Sequence, residues 1–292
     1  MWHDRGVMNN HITSIKDSIW FITGGSKGIG LRLAQRLAKA GAKVAVTSRS
    51  KSSLVEKFGD GILPLQVDLG DETSVRRAVE ETSARFGGLD VVVNNAGYGQ
   101  FGAVEEVSDV EARANFDVNV FGLLNVVRAT LPHLRQRRAG HVFNIASIGG
   151  ITGAFPGFGV YCATKFAVAG LSEGLHADLA GMGVNVTCVY PGYFRTEFLA
   201  AGSPAVPAAP IADYKAAHDL VEQHVSGGIN GNQPGDPDKL ADVLMNVATM
   251  PTPPLHLVLG SDALRLAEQK VEAFRQMLEE HRAMAVSTDF AS

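Results

Sequence analysis

The sequence predicts an α/β protein built on a doubly wound, parallel, seven-stranded sheet with helices on both faces. Three observations lead there. Seven short apolar runs recur along the 292 residues, longer amphipathic stretches separate them, and the first run breaks into the turn Thr23-Gly24-Gly25-Ser26-Lys27-Gly28-Ile29-Gly30. Apolar runs without alternation belong to strands buried on both faces, and parallel neighbours need a crossover long enough to hold a helix.

Ile19–Thr23 is the first expected strand. Leu31, Leu33, Leu37 and Ala40 then mark a helix that Gly41 stops. Lys43–Thr47 and Ile62–Val67 read as the second and third strands, with a weaker helix over Ser50–Phe58 between them. Asp71–Phe86 opens with acidic residues, which suit the positive end of a helix dipole, and closes at Gly87-Gly88. Leu89–Val93 is the fourth strand and runs into Asn94-Asn95-Ala96-Gly97. One long helix is expected from Val110 to Arg138, then a strand at His141–Ala146 and a helix over Tyr161–Met182. Asn185–Tyr190 and Leu255–Leu259 supply the last two strands. Residues 261–285, with Leu264, Leu266, Val271, Phe274 and Leu278, read as a closing amphipathic helix that covers the core or meets another subunit. Residues 1–17 are mixed and polar and read as a flexible leader, with Met8 as a second candidate start. Residues 18–292 read as one domain.

Between Pro191 and Pro237 the rhythm breaks into an Ala-, Gly- and Pro-rich stretch with only a weak helical patch at Tyr214–Val225. Irregular segments of this length inside a domain usually serve as lids or binding loops. This one leaves the carboxyl end of a strand, where open α/β sheets bind ligands, so residues 193–237 are expected to cover a substrate.

Composition narrows the function. Hydrophobic residues make up 46% and charged ones 19%, enough to build a core. A net charge of −4 argues against an electrostatic nucleic-acid binder. No apolar run reaches the roughly 18 residues of a membrane span, and no secretory signal is visible, so a cytoplasmic protein is expected. The two cysteines, Cys162 and Cys188, have no ligand-type spacing, so neither a disulfide framework nor a metal site is expected. Cys162 reads as a packing residue, His218 and His224 as core or surface histidines, and Arg135, Arg137 and Arg138 as the solvated end of a helix.

The glycine turn carries the first chemical signal. Gly24 permits a sharp turn, Gly28 lets a diphosphate approach backbone N–H groups, and Gly30 permits close helix–strand packing at a helix N-terminus that favours an anion. A dinucleotide carrying a free ribose 2′-hydroxyl calls for an acidic residue about twenty positions on. Here Ser48-Arg49 stands at that place, and Lys27 lies within the turn. Two cations favour a 2′-phosphate, hence NADP(H) over NAD(H).

Tyr161-Cys162-Ala163-Thr164-Lys165 carries the second. Tyr161 and Lys165, four apart, share a helix face. A free phenol, with a pKa of ~10, is a poor base at neutral pH, and a nearby ammonium would make its proton more mobile. Ser147, at the end of the fifth strand, can donate to a substrate oxygen.

Together these residues resemble the short-chain dehydrogenase/reductase family in its single-domain branch, over roughly Ser18–Leu259. The turn Thr23 to Gly30 matches the family's glycine motif, and Asn94-Asn95-Ala96-Gly97 matches its structural motif. Asn119, Ser147, Tyr161 and Lys165 match its catalytic tetrad. Pro191-Gly192 with Thr196 matches the segment touching the nicotinamide amide, and Asp68 the residue beside the adenine. The resemblance implies a Rossmann fold. The cofactor would be bound by Gly24, Ser26, Lys27, Gly28, Ile29, Gly30, Arg49, Asp68, Leu69, Asn95, Ala96, Gly97, Tyr161, Lys165, Pro191, Gly192 and Thr196.

It also implies Tyr161 as general acid or base, Lys165 binding the nicotinamide ribose and lowering the Tyr161 pKa, Ser147 steadying the substrate oxygen, and Asn119 holding a relay water. Homodimers or homotetramers through the long helices are the family habit. Ile148, Ile151, Phe155, Pro156 and Phe158, with Tyr193, Phe194, Phe198, Leu199, Ile211 and Tyr214, would line an apolar pocket for a ketone or aldehyde. The tail beyond residue 261 favours the hydroxysteroid- and retinol-dehydrogenase-like subgroup. A 3-oxoacyl carrier-protein reductase is the rival within the class, and a non-catalytic NADP-binding regulator the rival outside it.

Overall fold

The computed structural model describes residues 12–200, 202–226 and 228–290. Seven parallel strands form one sheet in the order β3-β2-β1-β4-β5-β6-β7. They are β1 Ile19–Ile22, β2 Lys43–Ser48, β3 Leu63–Gln66, β4 Val91–Asn94, β5 Gly140–Ile145, β6 Val184–Pro191 and β7 His256–Leu259. The connecting helices are α1 Gly28–Lys39, α2 Lys51–Phe58, α3 Glu72–Phe86, α4 Asp109–Phe116, α5 Gly122–Arg137, α6 Gly159–Asp178, α7 Lys215–Val225 and α8 Pro237–Ala248. α9 Ser261–Glu280 and α10 Arg282–Val286 close the chain.

Side chains alternate across the sheet and so feed two cores. Trp20 and Ile22 pack with Leu33 and Leu37 of α1 and with Leu240 and Leu244 of α8. Phe21, between them, packs on the opposite face with Val75 and Val79 of α3 and Val126 and Leu134 of α5. Each such side chain contributes about 1.5–3 kcal/mol on burial, so both faces are needed for stability. From β1 the chain winds outward to β3, then resumes at β4 on the other side of β1. That reversal opens a crevice beyond the carboxyl ends of β1 and β4.

Several elements differ from the sequence expectation. α8 was not expected. Its start carries a legible signal, because Asp236 caps it through a bond from the Asp238 N–H (2.9 Å) and Pro237 takes the first position. The expected single helix from Val110 to Arg138 is divided by a π-turn at Asp117–Phe121, and π-turns are rare features that hydrophobic periodicity does not reveal. The closing helix breaks at His281 and resumes as α10. Arg137 and Arg138 are not merely solvated. Arg137 donates to the Leu89 carbonyl (3.1 Å) and pairs with Asp90 (2.8 Å), while Arg138 donates to the Gly181 carbonyl (3.0 Å). The expected leader lies outside the described residues up to residue 11. From Ile12 the chain is already tied down, with Ile12 and Ile15 against the first core and the Asp17 N–H donating to the Gly41 carbonyl (3.0 Å).

The stretch after Pro191 is also better ordered than its composition suggests. Tyr193 and Arg195 exchange main-chain bonds with Gly235, and Ala205 bonds to Gly99 and Phe101. The buried Glu106 carboxylate accepts the N–H groups of Ala103 (2.8 Å) and Ile211 (2.7 Å) and bonds His218. Burial alone would raise its pKa, but the bonds from Ile211, His218 and Ala103 outweigh burial and hold it below the usual carboxylate value.

Candidate active site

One cavity of about 700 Å³ runs along the crevice from the glycine turn to the segment before α6. Apart from Gly30 and Asn119, every residue singled out for cofactor or chemistry borders it. Gly30 acts from behind, since a Cβ there would fall 2.4 Å from Asn95 Nδ2 and 2.8 Å from the Gly24 carbonyl. Asn95 Nδ2 in turn donates to the carbonyls of Thr23 (2.9 Å) and Gly24 (3.0 Å), fastening the turn to the end of β4. Gly28, at φ +61°, meets only Thr196 on its outward side, 3.7 Å from where a Cβ would lie.

The N-terminus of α1 has no side-chain cap from Lys27. Instead the Glu197 carboxylate accepts the Gly28 N–H (3.1 Å), while Lys27 Nζ donates to Ser203 Oγ (2.8 Å). A carboxylate from the loop therefore sits where helix polarity attracts an anion, and a diphosphate fits the same requirement. Glu197→Gln removes the competing charge and is expected to tighten dinucleotide binding by about 2–5-fold. Titration of cofactor fluorescence measures it; an unchanged or weaker Kd excludes competition.

At the end of β2, Thr47, Ser48 and Arg49 line the cavity. Arg49 is exposed, and among the described residues it forms no ion pair. Asp68 and Leu69 follow β3, with Asp68 Oδ1 held by the Gly70 N–H (2.9 Å) and the Leu69 carbonyl by Asn125 (2.7 Å).

The chemical corner lies where β5 gives way to α6. Tyr161 and Lys165 are both buried on α6. Lys165 Nζ donates to the Ile145 carbonyl (2.9 Å) and stands 5.8 Å from the centre of the Tyr161 ring. Burial lowers its pKa to about 8. Burial also drives the Tyr161 phenol well above its ordinary value, and hydrogen bonding with Ser147 only partly offsets this. The net shift of Tyr161 is therefore upward, against the lowering expected from Lys165, with desolvation of the phenolate its largest cause. Asn119 lies in the π-turn, its Nδ2 donating to the Tyr98 carbonyl and Thr164 Oγ1 (both 3.0 Å) and its Oδ1 accepting the Tyr98 N–H (3.1 Å). Both of its side-chain N–H groups are committed.

Next to Tyr161 the cavity becomes aromatic. Phe101 meets Tyr161 edge-on with ring centres 6.3 Å apart, and Phe198 lies 5.8 Å away. Phe155, Phe158 and Leu199 complete the wall. Four residues expected there lie elsewhere. Ile151 and Pro156 are outside the cavity, Ile211 bonds Glu106, and Tyr214 bonds Glu105. Three residues given no functional role from the sequence place polar groups in or beside the cavity. His224 Nδ1 donates to the Leu220 carbonyl (2.7 Å), so its Nε2 accepts from the Tyr193 hydroxyl (2.7 Å). Burial lowers the His224 pKa and keeps the ring neutral. Gln233 borders the cavity with its Nε2 unpartnered. Asp262, in the first turn of α9, accepts the Tyr193 N–H (2.7 Å) and packs against Gly192. None of the three stands in a motif; the fold alone brings them in.

Residues 18–205 match the family model of short chain dehydrogenases. The chain belongs to the short-chain dehydrogenase family. It is 35% identical over 274 residues to the oxidoreductase BOA17 of Botryotinia fuckeliana, covering 92% of this dehydrogenase and 98% of that protein. A 3-ketodihydrosphingosine reductase of Bacteroides thetaiotaomicron is 40% identical over 184 residues, 63% of this chain and 66% of its own. A crystal structure of a short-chain dehydrogenase from Streptomyces avermitilis superposes with a TM-score of 0.84 at 35% identity, covering 94% of this chain and 99% of that one. Solved relatives at 27–28% identity carry NADP or NADH. Among the described residues no helix is long and apolar enough to cross a membrane.

Proposed function

We propose that this short-chain dehydrogenase is an NADP(H)-dependent enzyme that interconverts a ketone or aldehyde with its alcohol on an apolar substrate. The observation that carries this reading is a single cavity. It joins a glycine turn and Arg49 at one end to the Ser147, Tyr161 and Lys165 corner and an aromatic chamber at the other. The glycine turn and α1 would hold the diphosphate, Arg49 and Lys27 the 2′-phosphate, and Pro191, Gly192 and Thr196 the nicotinamide end. The cofactor supplies or accepts the hydride.

The protein's own groups manage the proton. Because burial keeps the Tyr161 phenol protonated at neutral pH, Tyr161 is suited to donate to the oxygen of a carbonyl as it becomes an alcohol. Ser147 steadies that oxygen by a second hydrogen bond. Lys165 holds positive charge at the corner and binds the ribose. Asn119, whose two side-chain N–H groups are engaged, would hold the water of a relay that returns a proton towards Lys165. The aromatic chamber and the name of the sphingoid ketone reductase relative both favour a long apolar substrate.

The test is turnover with NADPH over a panel of aromatic and long-chain ketones, acetoacetyl thioesters and small charged carbonyls. Preference for the first group is expected. Preference for thioesters makes the enzyme a 3-oxoacyl carrier-protein reductase, and no turnover of any carbonyl makes it a regulator. Run against pH, reduction is expected to fall as pH rises through about 8, where Lys165 loses its proton. Activity flat to pH 10 removes that role for its charge.

A further inference from the structure

α9 does not behave as a cover for the core. Only Ala263, in its first turn, is buried, and every residue from Glu268 to Phe290 is exposed. A helix of 20 residues extends about 30 Å, so most of α9, with α10 after it, stands clear of the domain. An isolated helix of about a dozen residues, the extent of the fully exposed part from Glu268 to Glu280, is marginal in water. This one also displays apolar side chains, with Leu264 53%, Val271 65%, Phe274 51% and Leu278 54% exposed. Their positions, with Ala267, advance by alternating steps of three and four, the a and d pattern of a helix that pairs with another helix.

We infer that the α9 arm pairs antiparallel with the α9 arm of a second copy of this chain. The polar face identifies the occupant. Arg265, Lys270, Arg275 and Arg282 are balanced by Glu268, Glu272, Glu279 and Glu280, whereas helices that lie on anionic membranes carry a basic face. The residues flanking the apolar seam choose the direction. In a parallel pair Lys270 would face Arg275 of the other copy, two like charges. In an antiparallel pair centred between Val271 and Phe274, Glu268 faces Arg275 of the other copy, and symmetry repeats that contact. Within one chain Arg275 is held by Glu272 (2.9 Å) on the exposed surface, a pair that a new partner displaces at little cost. The arm is rooted at Asp262, beside Tyr193.

The experiment is light scattering on the eluting full-length protein, with wild type, V271E/F274E, E268R, R275E and the exchange E268R/R275E. V271E/F274E is expected to halve the mass of the assembly while carbonyl reduction by each chain persists, since these side chains touch neither the cavity nor the core. Each single reversal is expected to weaken association at least 5-fold, and the exchange to restore it to within about 2-fold. The inference fails if wild type is monomeric, if V271E/F274E keeps the wild-type mass, or if the exchange is no better than the single reversals. It also fails if wild type co-sediments with phosphatidylcholine/phosphatidylserine vesicles and V271E/F274E does not.

Discussion

Tyr161→Phe is expected to lower kcat/KM for carbonyl reduction by about 10²–10⁴-fold, the usual worth of a positioned general acid. The fold should be untouched, because phenylalanine keeps the ring contacts with Phe101 and Phe198 and removes only the hydroxyl. That hydroxyl is costly to ionise here, and its raised pKa is what keeps its proton available at neutral pH. Losing it leaves the Ser147 hydroxyl, able to steady the substrate oxygen but not to release a proton near neutrality. Cofactor affinity, measured separately by fluorescence, is expected to stay within about threefold, since the glycine turn and Arg49 are distant from the change. If turnover falls less than tenfold while the cofactor still binds, another group supplies the proton and the assignment of Tyr161 is wrong.

The fold was legible because each level of signal agrees. Apolar runs such as Val91–Val93 are buried on both faces, and the glycine turn stands at the first strand-to-helix junction, as the sheet topology demands. The cofactor half of the cavity was legible for the same reason: its residues lie in short local motifs whose spacing is fixed by one strand end and one helix start. The substrate half was legible only in its apolar wall, where Phe155, Phe158, Tyr193, Phe198 and Leu199 lie as expected, and not in its polar groups. His224 and Gln233 reach the cavity from α7 and from the loop before α8, and Asp262 of α9 holds Tyr193 behind it, all brought together by contacts distant in sequence. Direction of effect was also illegible. Four-residue spacing puts Lys165 near Tyr161, but only the burial of both shows that desolvation, not mutual attraction, dominates their proton affinities. The π-turn at Asp117–Phe121 likewise has no periodic signature, yet it carries Asn119, which bonds Tyr98 and Thr164.

Arg49→Asp is expected to reverse the choice of cofactor. A 2′-phosphate carries most of two negative charges, and a guanidinium meets it with paired, charge-assisted hydrogen bonds. Each bond to a charged group contributes about 1.5–3 kcal/mol, so losing one or two and adding a like charge should cut kcat/KM with NADPH by about 10²-fold or more. Arg49 is the residue to change because the other nearby cation, Lys27, is already tethered to Ser203 on the loop, whereas Arg49 has no ion-pair partner among the described residues. With NADH the new carboxylate can accept from the ribose 2′-hydroxyl, so kcat/KM should hold or rise. Exposure of Arg49 makes a folding defect an inadequate explanation for a loss confined to NADPH. The measurement is the ratio of the two kcat/KM values in both proteins, at a single ionic strength because the effect is electrostatic. A ratio that does not move places the 2′-position away from the end of β2 and returns NAD(H) to equal standing.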